Sequence, residues 1–329
     1  MPVRSVRLGV HLAAVAVLVS LVTPGFVQGA TPTSIGSLAA TVSGTQVAVT
    51  GAASFGGQDP VTVTVDPVGD APGAPDLGDE TGVDLVAARL YQPNANVPEL
   101  VVEWELTGLP PSGGVPEGTR YSLPFKVGTK EFQVQAKFSN LASITTSDDP
   151  PGHVTHVGAT FQLRGNCTTS WNGSGVAYCY HLAWLTGEFV PAQKVVRVRL
   201  PLGSSAAPDI APGASLVRNT STNANLNAVL AGYQAVVALS PTTNDEASFG
   251  PEEEETYTFV VPKKTVALGI APAGTPVGSV TFGTNAAVAA DSSFSGSVST
   301  AGLVPGSYDV WAKACFAGNC AARSATITI

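Results

Sequence analysis

Apolar and polar residues alternate with period two along most of this chain. Val61, Val63 and Val65 are separated by Thr62 and Thr64, and Leu100, Val102, Trp104 and Leu106 by Val101, Glu103 and Glu105. Phe132, Val134, Ala136 and Phe138 alternate with Glu131, Gln133, Gln135 and Lys137, and Val196, Val198 and Leu200 with Arg197 and Arg199. Successive side chains of a strand point to opposite faces, so each segment predicts a strand with one face in the core and the other in water. Clean alternation belongs to antiparallel sheets covered on one side, whereas strands of a parallel sheet under helices read as continuous apolar runs. The predicted class is therefore all-β, built of antiparallel β-sandwiches. On this phase Trp104 is a core residue, and Glu103 and Glu105 share a solvated face.

The one segment with helical character, Asn225 to Leu239, is rich in alanines and valines that serve a strand equally well, and its type stays open. It leads into Ser240 to Glu255, whose Pro, Thr, Asn, Asp and Gly and four consecutive glutamates have the composition of a linker or long surface loop. The glutamate run reads as a solvated charge cluster. This places a domain boundary near Phe249, between a larger β-sandwich over 31–248 and a smaller one over 249–329. Beyond it, strands are predicted at Tyr257 to Val261, Val266 to Ile270, Val277 to Phe282, Phe294 to Val298, Tyr308 to Ala314 and Ala321 to Ile329, which suits an immunoglobulin-like sandwich. Leu303, Pro305, Gly306, Tyr308 and Val310 form a Leu-x-Pro-Gly-x-Tyr-x-Val pattern that resembles the start of the penultimate strand in bacterial immunoglobulin-like surface modules. The resemblance implies that Tyr308 is structural, its hydroxyl tying a corner to nearby backbone.

Composition adds a location. Arg4 and Arg7, the uncharged apolar run Leu12 to Val22, and Pro24, Gly29 and Ala30 have the layout of a secretory signal peptide over residues 1–30. The apolar run is about half of the roughly 20 residues that cross a bilayer, so the expected product is secreted, with no membrane anchor in the mature chain. Loss of residues 1–30 takes the net charge from −8 to −10. So acidic a chain, without a basic stripe, repels phosphate backbones and excludes nucleic acid as a partner. The 35 glycines and 25 prolines favour short strands joined by turns. All four cysteines lie in the exported part, and although they allow three connectivities, the local pairs Cys167 with Cys179 and Cys315 with Cys320 are the expected disulfides.

The densest chemistry is Asp66, Asp70, Asp76, Asp79, Glu80 and Asp84, with no Lys or Arg among them. Loop carboxylates suit extracellular calcium, but the EF-hand register is missing, and the same Asp-Pro and Gly-Asp steps are turn-formers that bond local amides. Asp66-Pro67-Val68-Gly69-Asp70-Ala71, followed by Val83-Asp84-Leu85 and a strand, resembles the opening of DOMON-like and family 9 carbohydrate-binding modules. That resemblance implies an exported jelly-roll-type sandwich that binds sugar or haem, with a structural Ca2+ held by Asp66, Asp70 and Asp84. Haem is not expected, because its methionine ligand is missing: the single Met of the chain is Met1. For sugar, the aromatic supply is Trp171, Tyr178, Tyr180 and Trp184; Trp171, in the loop between Cys167 and Cys179, is the leading candidate for an exposed ring, with Tyr178 and Tyr180 beside it.

Three histidines remain after the signal. His153 and His156, preceded by Asp148 and Asp149, and His181 form the one set with transition-metal chemistry. There is no His-Glu-x-x-His and no Gly-x-Ser-x-Gly, so no catalytic residue is assigned. The favoured expectation is a secreted, non-enzymatic binding protein whose partner is a polysaccharide or cell-surface component. A structural or adhesive module that docks protein, and a secreted metal-dependent hydrolase using His153, His156 and His181, stand as the alternatives.

Overall fold

The computed structural model describes residues 32–65, 85–109, 119–139, 158–169, 177–218, 231–233, 244–245 and 257–329. The acidic stretch from Asp66 to Asp84, Trp171, His153, His156, Asp148 and Asp149 lie outside them. Apart from two short 3₁₀ turns at Pro191–Gln193 and Val277–Ser279, every regular element among the described residues is a strand. In chain order these are β1 (Ser34–Ser43), β2 (Gln46–Ser54), β3 (Val61–Val65), β4 (Leu85–Tyr91), β5 (Glu99–Leu106), β6 (Thr119–Val127) and β7 (Lys130–Ser139). They continue with β8 (Gly158–Thr169), β9 (Ala177–Trp184), β10 (Thr186–Val190), β11 (Val195–Pro201), β12 (Ser215–Arg218), β13 (Ala231–Tyr233) and β14 (Asn244–Asp245). The last are β15 (Thr258–Val260), β16 (Thr265–Pro272), β17 (Phe282–Val288), β18 (Ser293–Ser299), β19 (Ser307–Phe316) and β20 (Asn319–Thr328). All their pairings are antiparallel, as the alternation predicts. Within the ambiguous segment Asn225 to Leu239, the described residues are strand β13, paired with β6.

The larger core lies between a five-stranded sheet ordered β10-β11-β5-β4-β3 and an eight-stranded sheet whose main path is β14-β13-β6-β7-β8-β9, with β12 and β15 off it. From the first sheet come Leu85, Leu90, Leu100, Val102, Trp104, Leu106, Val196 and Val198; from the second come Tyr121, Leu123, Phe125, Phe132, Val134 and Leu163. An aromatic chain bridges the two layers: Trp104 to Tyr121 at 6.2 Å, Tyr121 to Phe189 at 6.1 Å and Phe189 to Phe161 at 6.0 Å between ring centroids. Such tilted and edge-on contacts suit the ring quadrupoles and add to the burial of large apolar surfaces.

The smaller core is assembled from both ends of the described chain. A seven-stranded sheet runs β1-β2-β18-β17-β16-β19-β20, with β2 pairing along β18 from Gln46↔Ser299 to Ala52↔Ser293. Val47, Val49, Ala53 and Phe55 pack with Val266, Leu268, Phe294, Val310, Ala312 and Phe316. The sheet curls until its outer strands meet, where Arg323 Nη1 donates to the carbonyls of Ile35 (3.3 Å) and Gly36 (2.6 Å). The sequence reading counts residues 34–54 with the larger unit; their backbone hydrogen bonds and apolar side chains join the smaller one. Conversely, β15 pairs with β12, and Phe259 and Val261 lie in the larger core. A second correction concerns Val277 to Phe282, predicted as a strand: Val277–Ser279 is a 3₁₀ turn and the strand starts at Phe282.

Among the described residues the chain crosses between the two cores twice, at 55–60 and at 261–264, and both crossings lie in one knot of contacts. Gln58 N donates to Gln92 O (2.8 Å), Ala95 N to Gly56 O (3.1 Å) and Ala53 N to Ser292 O (3.1 Å). Lys264 Nζ donates to Asn96 Oδ1 (3.1 Å) and Ser292 Oγ (3.2 Å) and sits 5.5 Å from the Phe55 ring centre. Gly57 permits this approach, since a Cβ there would lie 2.1 Å from the carbonyl oxygen of Pro93.

Two details of the C-terminal hairpin match the sequence. Tyr308 Oη donates to Val304 O at 2.9 Å, the corner bond expected of this tyrosine. Cys315 and Cys320 are disulfide-bonded across a two-residue turn whose Ala317 and Gly318 both have positive φ, 49° and 83°, as a type I′ hairpin requires. The cysteines face each other in the ladder with Cα atoms 4.2 Å apart, the close spacing of a non-hydrogen-bonded pair. Replacing both by serine is expected to lower stability by about 2 kcal/mol, the loop-closure value for so short a ring. Parallel chemical denaturation of the two proteins measures this; equal midpoints would show that the turn alone holds the hairpin.

Candidate functional site

The polar phase of β6, β7, β8 and β9 forms one face of the larger unit. Cross-strand pairing lines up Ser122, Gln135, Gln162 and Trp184 in one row, and Pro124, Gln133, Arg164 and His181 in the next. A two-residue step on β9 against one on β8 makes this possible: Leu163 pairs with Ala183 but Arg164 with His181, so Leu182 is the extra residue of a bulge. The bulge turns Leu182 toward the core and leaves His181 and Trp184, three apart, on the same face with ring centroids 4.6 Å apart. Gln135 Nε2 donates to Ser122 Oγ (3.3 Å), and Arg164 Nη1 to Gln162 Oε1 (3.4 Å).

The sequence places this phase in water, and that expectation is corrected. Ser122, Gln133, Gln135 and Gln162 are 0%, 8%, 5% and 7% exposed, whereas Arg164, His181 and Trp184 are half-buried. Neutral amides and hydroxyls tolerate such shelter where they find partners, at far lower cost than a charge. The arrangement is a floor of donors and acceptors, rimmed at β9 by an indole–imidazole pair, with the Arg164 guanidinium beside it on β8.

The outer face of the five-stranded sheet is also polar and differs in kind. One row crosses four strands as Glu188, Arg197, Glu103 and Arg89. Glu103, 5% exposed, receives Arg89 Nη1 on Oε1 (3.3 Å) and both Arg197 Nε (2.7 Å) and Tyr91 Oη (3.2 Å) on Oε2. Arg89 also pairs with Glu105, Arg197 with Glu188, and Arg199 with Glu99 and Glu188. Glu103 is thus not solvated, as sequence suggests, but the centre of an ion-pair row, so this face spends its charges on itself. Burial, and next the Glu103 carboxylate, push the Tyr91 hydroxyl up to about 12. Burial likewise raises Tyr121 and Tyr257, the latter donating to Pro124 O at 3.2 Å. A pKa raised on folding stabilises fully below the unfolded tyrosine value of about 10 and is lost as pH climbs through the folded value. The melting temperature is therefore expected to hold up to about pH 10 and to fall between about pH 10 and 12, less steeply in Tyr91→Phe; an unchanged slope in that variant would remove Tyr91 from the account.

Of the residues singled out by sequence, Trp104 is fully buried, and Tyr180 is 54% exposed on β9, next to His181. Tyr178, Cys167 and Cys179 are described through their backbone, which sets β9 against β8 with Thr168 opposite Tyr178 and Gly165 opposite Tyr180. Asp66, Asp70, Asp84, Trp171, His153 and His156 lie outside the described residues. His181 packs against Trp184 with the rings tilted by 46°, and no group of three or more His, Cys, Asp or Glu among the described residues could hold a metal ion. Sequence reasoning missed Gln135, Gln162 and Arg164, because a polar phase gives no sign of whether water or a ligand meets it. No family model matches the chain, and no curated protein or solved structure matches it.

Proposed function

We propose that this chain is a secreted, non-enzymatic binding protein that takes a polysaccharide or cell-surface glycan on the polar face of β6–β9. The observation that carries the reading is the pairing of a sheltered amide floor, Gln135 and Gln162, with a half-buried ring pair at its β9 edge, His181 and Trp184. Carboxamides offer a donor and an acceptor side by side, which fits the vicinal hydroxyls of a sugar, and an indole covers the apolar C–H face of the ring. Side chains already held by neighbours lose little freedom on binding, which favours affinity. Tyr180, opposite Gly165, lies on the other phase of β9 from His181 and falls outside this face; by the module resemblance Trp171 and Tyr178 belong to the sugar contact, and a structural Ca2+ on Asp66, Asp70 and Asp84 belongs to the same proposal.

Affinity electrophoresis and calorimetry of the mature protein against a panel of soluble polysaccharides tests it. Trp184→Ala is expected to weaken binding by at least about tenfold, equal to about 1.4 kcal/mol, with the melting temperature little changed. Binding unaffected by both Trp184→Ala and Gln135→Ala would remove this face from the reading.

A further inference from the structure

The formal charge of the chain lies almost wholly in one of its two units. Apart from Arg4, Arg7, Asp291, Asp309, Lys313 and Arg323, every charged residue falls between Gly56 and Lys264, where the net charge is −10. Residues 32–55 and 265–329, which build the seven-stranded sheet, carry a net charge of zero. The end of that sheet remote from the two crossings is formed by the β1–β2 turn at 44–45 and by the connections 273–281 and 300–306, and none of the three carries a charged side chain. Exposed apolar side chains gather there instead: Val304 at 69%, the most exposed large hydrophobic residue among the described ones, Val277 at 42% and, near the end of β1, Val42 at 38%. Thr300 N donates to Thr45 O (3.0 Å), Ala273 N to Ser307 O (3.0 Å) and Gly274 N to Asp309 Oδ2 (2.8 Å), and Tyr308 Oη holds Val304 O. An apolar end already ordered in this way marks an interaction surface and loses little freedom on docking.

We propose that this end docks a second copy of the chain, the two meeting tip to tip about a twofold axis. A charged partner would lose hydration there and find no counter-charge, whereas the same end of another copy is apolar and uncharged in kind. Self-repulsion then sets the geometry, because side-by-side contact brings two units of charge −10 together and tip-to-tip contact separates them. Strands of ten residues at about 3.4 Å each make the smaller unit about 34 Å long. Two of them hold the acidic units about 70 Å apart, many times the roughly 8 Å screening length of physiological salt. Such a like-with-like contact closes on itself and recruits no third copy. The end of the curled sheet is about 20 Å across, so two ends bury less than the roughly 1,600 Å2 of a standard stable interface, and the association is weak and reversible.

Analytical ultracentrifugation of the disulfide-bonded protein up to about 1 mM is expected to show a monomer–dimer equilibrium with a dissociation constant of about 0.01–1 mM, little changed between about 0.1 M and 1 M salt. Val277→Asp combined with Val304→Asp is expected to raise that constant at least about tenfold, since it places carboxylates in the contact. Val217→Asp combined with Val260→Asp, at exposed positions of the larger unit, is expected to leave it within about twofold. Small-angle scattering is expected to give the dimer a maximum dimension about twice that of the monomer. A protein still monomeric at about 1 mM, a dimer weakened equally by both pairs of substitutions, or a dimer no longer than the monomer would overturn the inference. So would Val304-dependent flotation on phosphatidylcholine vesicles by a protein that stays monomeric, which would assign this end to a bilayer. Thermal melts of the variants separate a lost contact from a lost fold, and scattering by the unsubstituted protein decides the matter where a variant does not fold.

Discussion

A fragment of residues 249–329 is expected to be unfolded in isolation, while one that joins residues 32–60 to 261–329 through a short glycine-serine joint is expected to melt cooperatively. Five of the sixteen buried residues of the smaller core, Val47, Val49, Ala53, Phe55 and Ala95, lie before residue 96. Val47, Val49 and Phe55 alone contribute about 1.5–3 kcal/mol each through burial, together about 4.5–9 kcal/mol, a large part of the margin of about 5–15 kcal/mol that holds a domain folded. Loss of β2 also frees the row of backbone groups on β18 that pairs with it, turning an interior strand into an edge. The joined fragment restores both, and the two crossings already meet at one end of the unit. Near-ultraviolet dichroism and thermal melts of the two fragments give the answer; a sharp, reversible transition for 249–329 alone would show that the first hairpin is an accessory.

The second large effect is expected at Glu103. Glu103→Ala is expected to cost about 2–4 kcal/mol, against less than about 1 kcal/mol for Glu105→Ala on the same strand and the same face. The difference lies in shelter: the Glu103 side chain is 7% exposed and serves two arginines and a tyrosine, whereas Glu105 is 34% exposed and serves Arg89 alone. Removing Glu103 leaves Arg89 and Arg197 facing each other across a vacancy, and because they are 25% and 22% exposed, water relieves part of the cost. Replacing Arg89, Glu103 and Arg197 together by methionine or leucine is expected to recover most of the loss, since the expense is an uncompensated charge rather than a missing attraction. Urea titrations of the single and triple variants measure both parts. Equal losses for Glu103→Ala and Glu105→Ala would mean that the row is a solvated surface after all.

The sequence announces which residues of a strand share a face, and that much holds throughout. Phe132, Val134 and Ala136 are buried, Trp104 lies in the core on its predicted phase, and Tyr308 makes its corner bond. Period two does not announce what meets a face. Gln133 and Gln135 read as solvated and are sheltered, and Glu103 reads as solvated and sits under two guanidinium groups. Long-range pairing is equally silent: nothing local in Gln46 to Ser54 distinguishes a neighbour on β18, some 250 residues on, from one nearby. His181 and Trp184, three apart, belong to opposite faces of a regular strand, and only the bulge at Leu182 brings them together. The candidate site depends on that one irregularity, which is why it could not be read from alternation.

The double crossing at 55–60 and 261–264 has a mechanical consequence. A pull applied at Ser34 and at Thr328 enters through β1 and leaves through β20, so the load is borne by the seven-stranded sheet and by the tie from Arg323 to the carbonyls of Ile35 and Gly36. The larger sandwich hangs from the sheet by two strands of chain that leave and return at the same point, held by the Lys264, Asn96 and Ser292 contacts. A load so applied reaches the larger sandwich through those two crossings and their contacts.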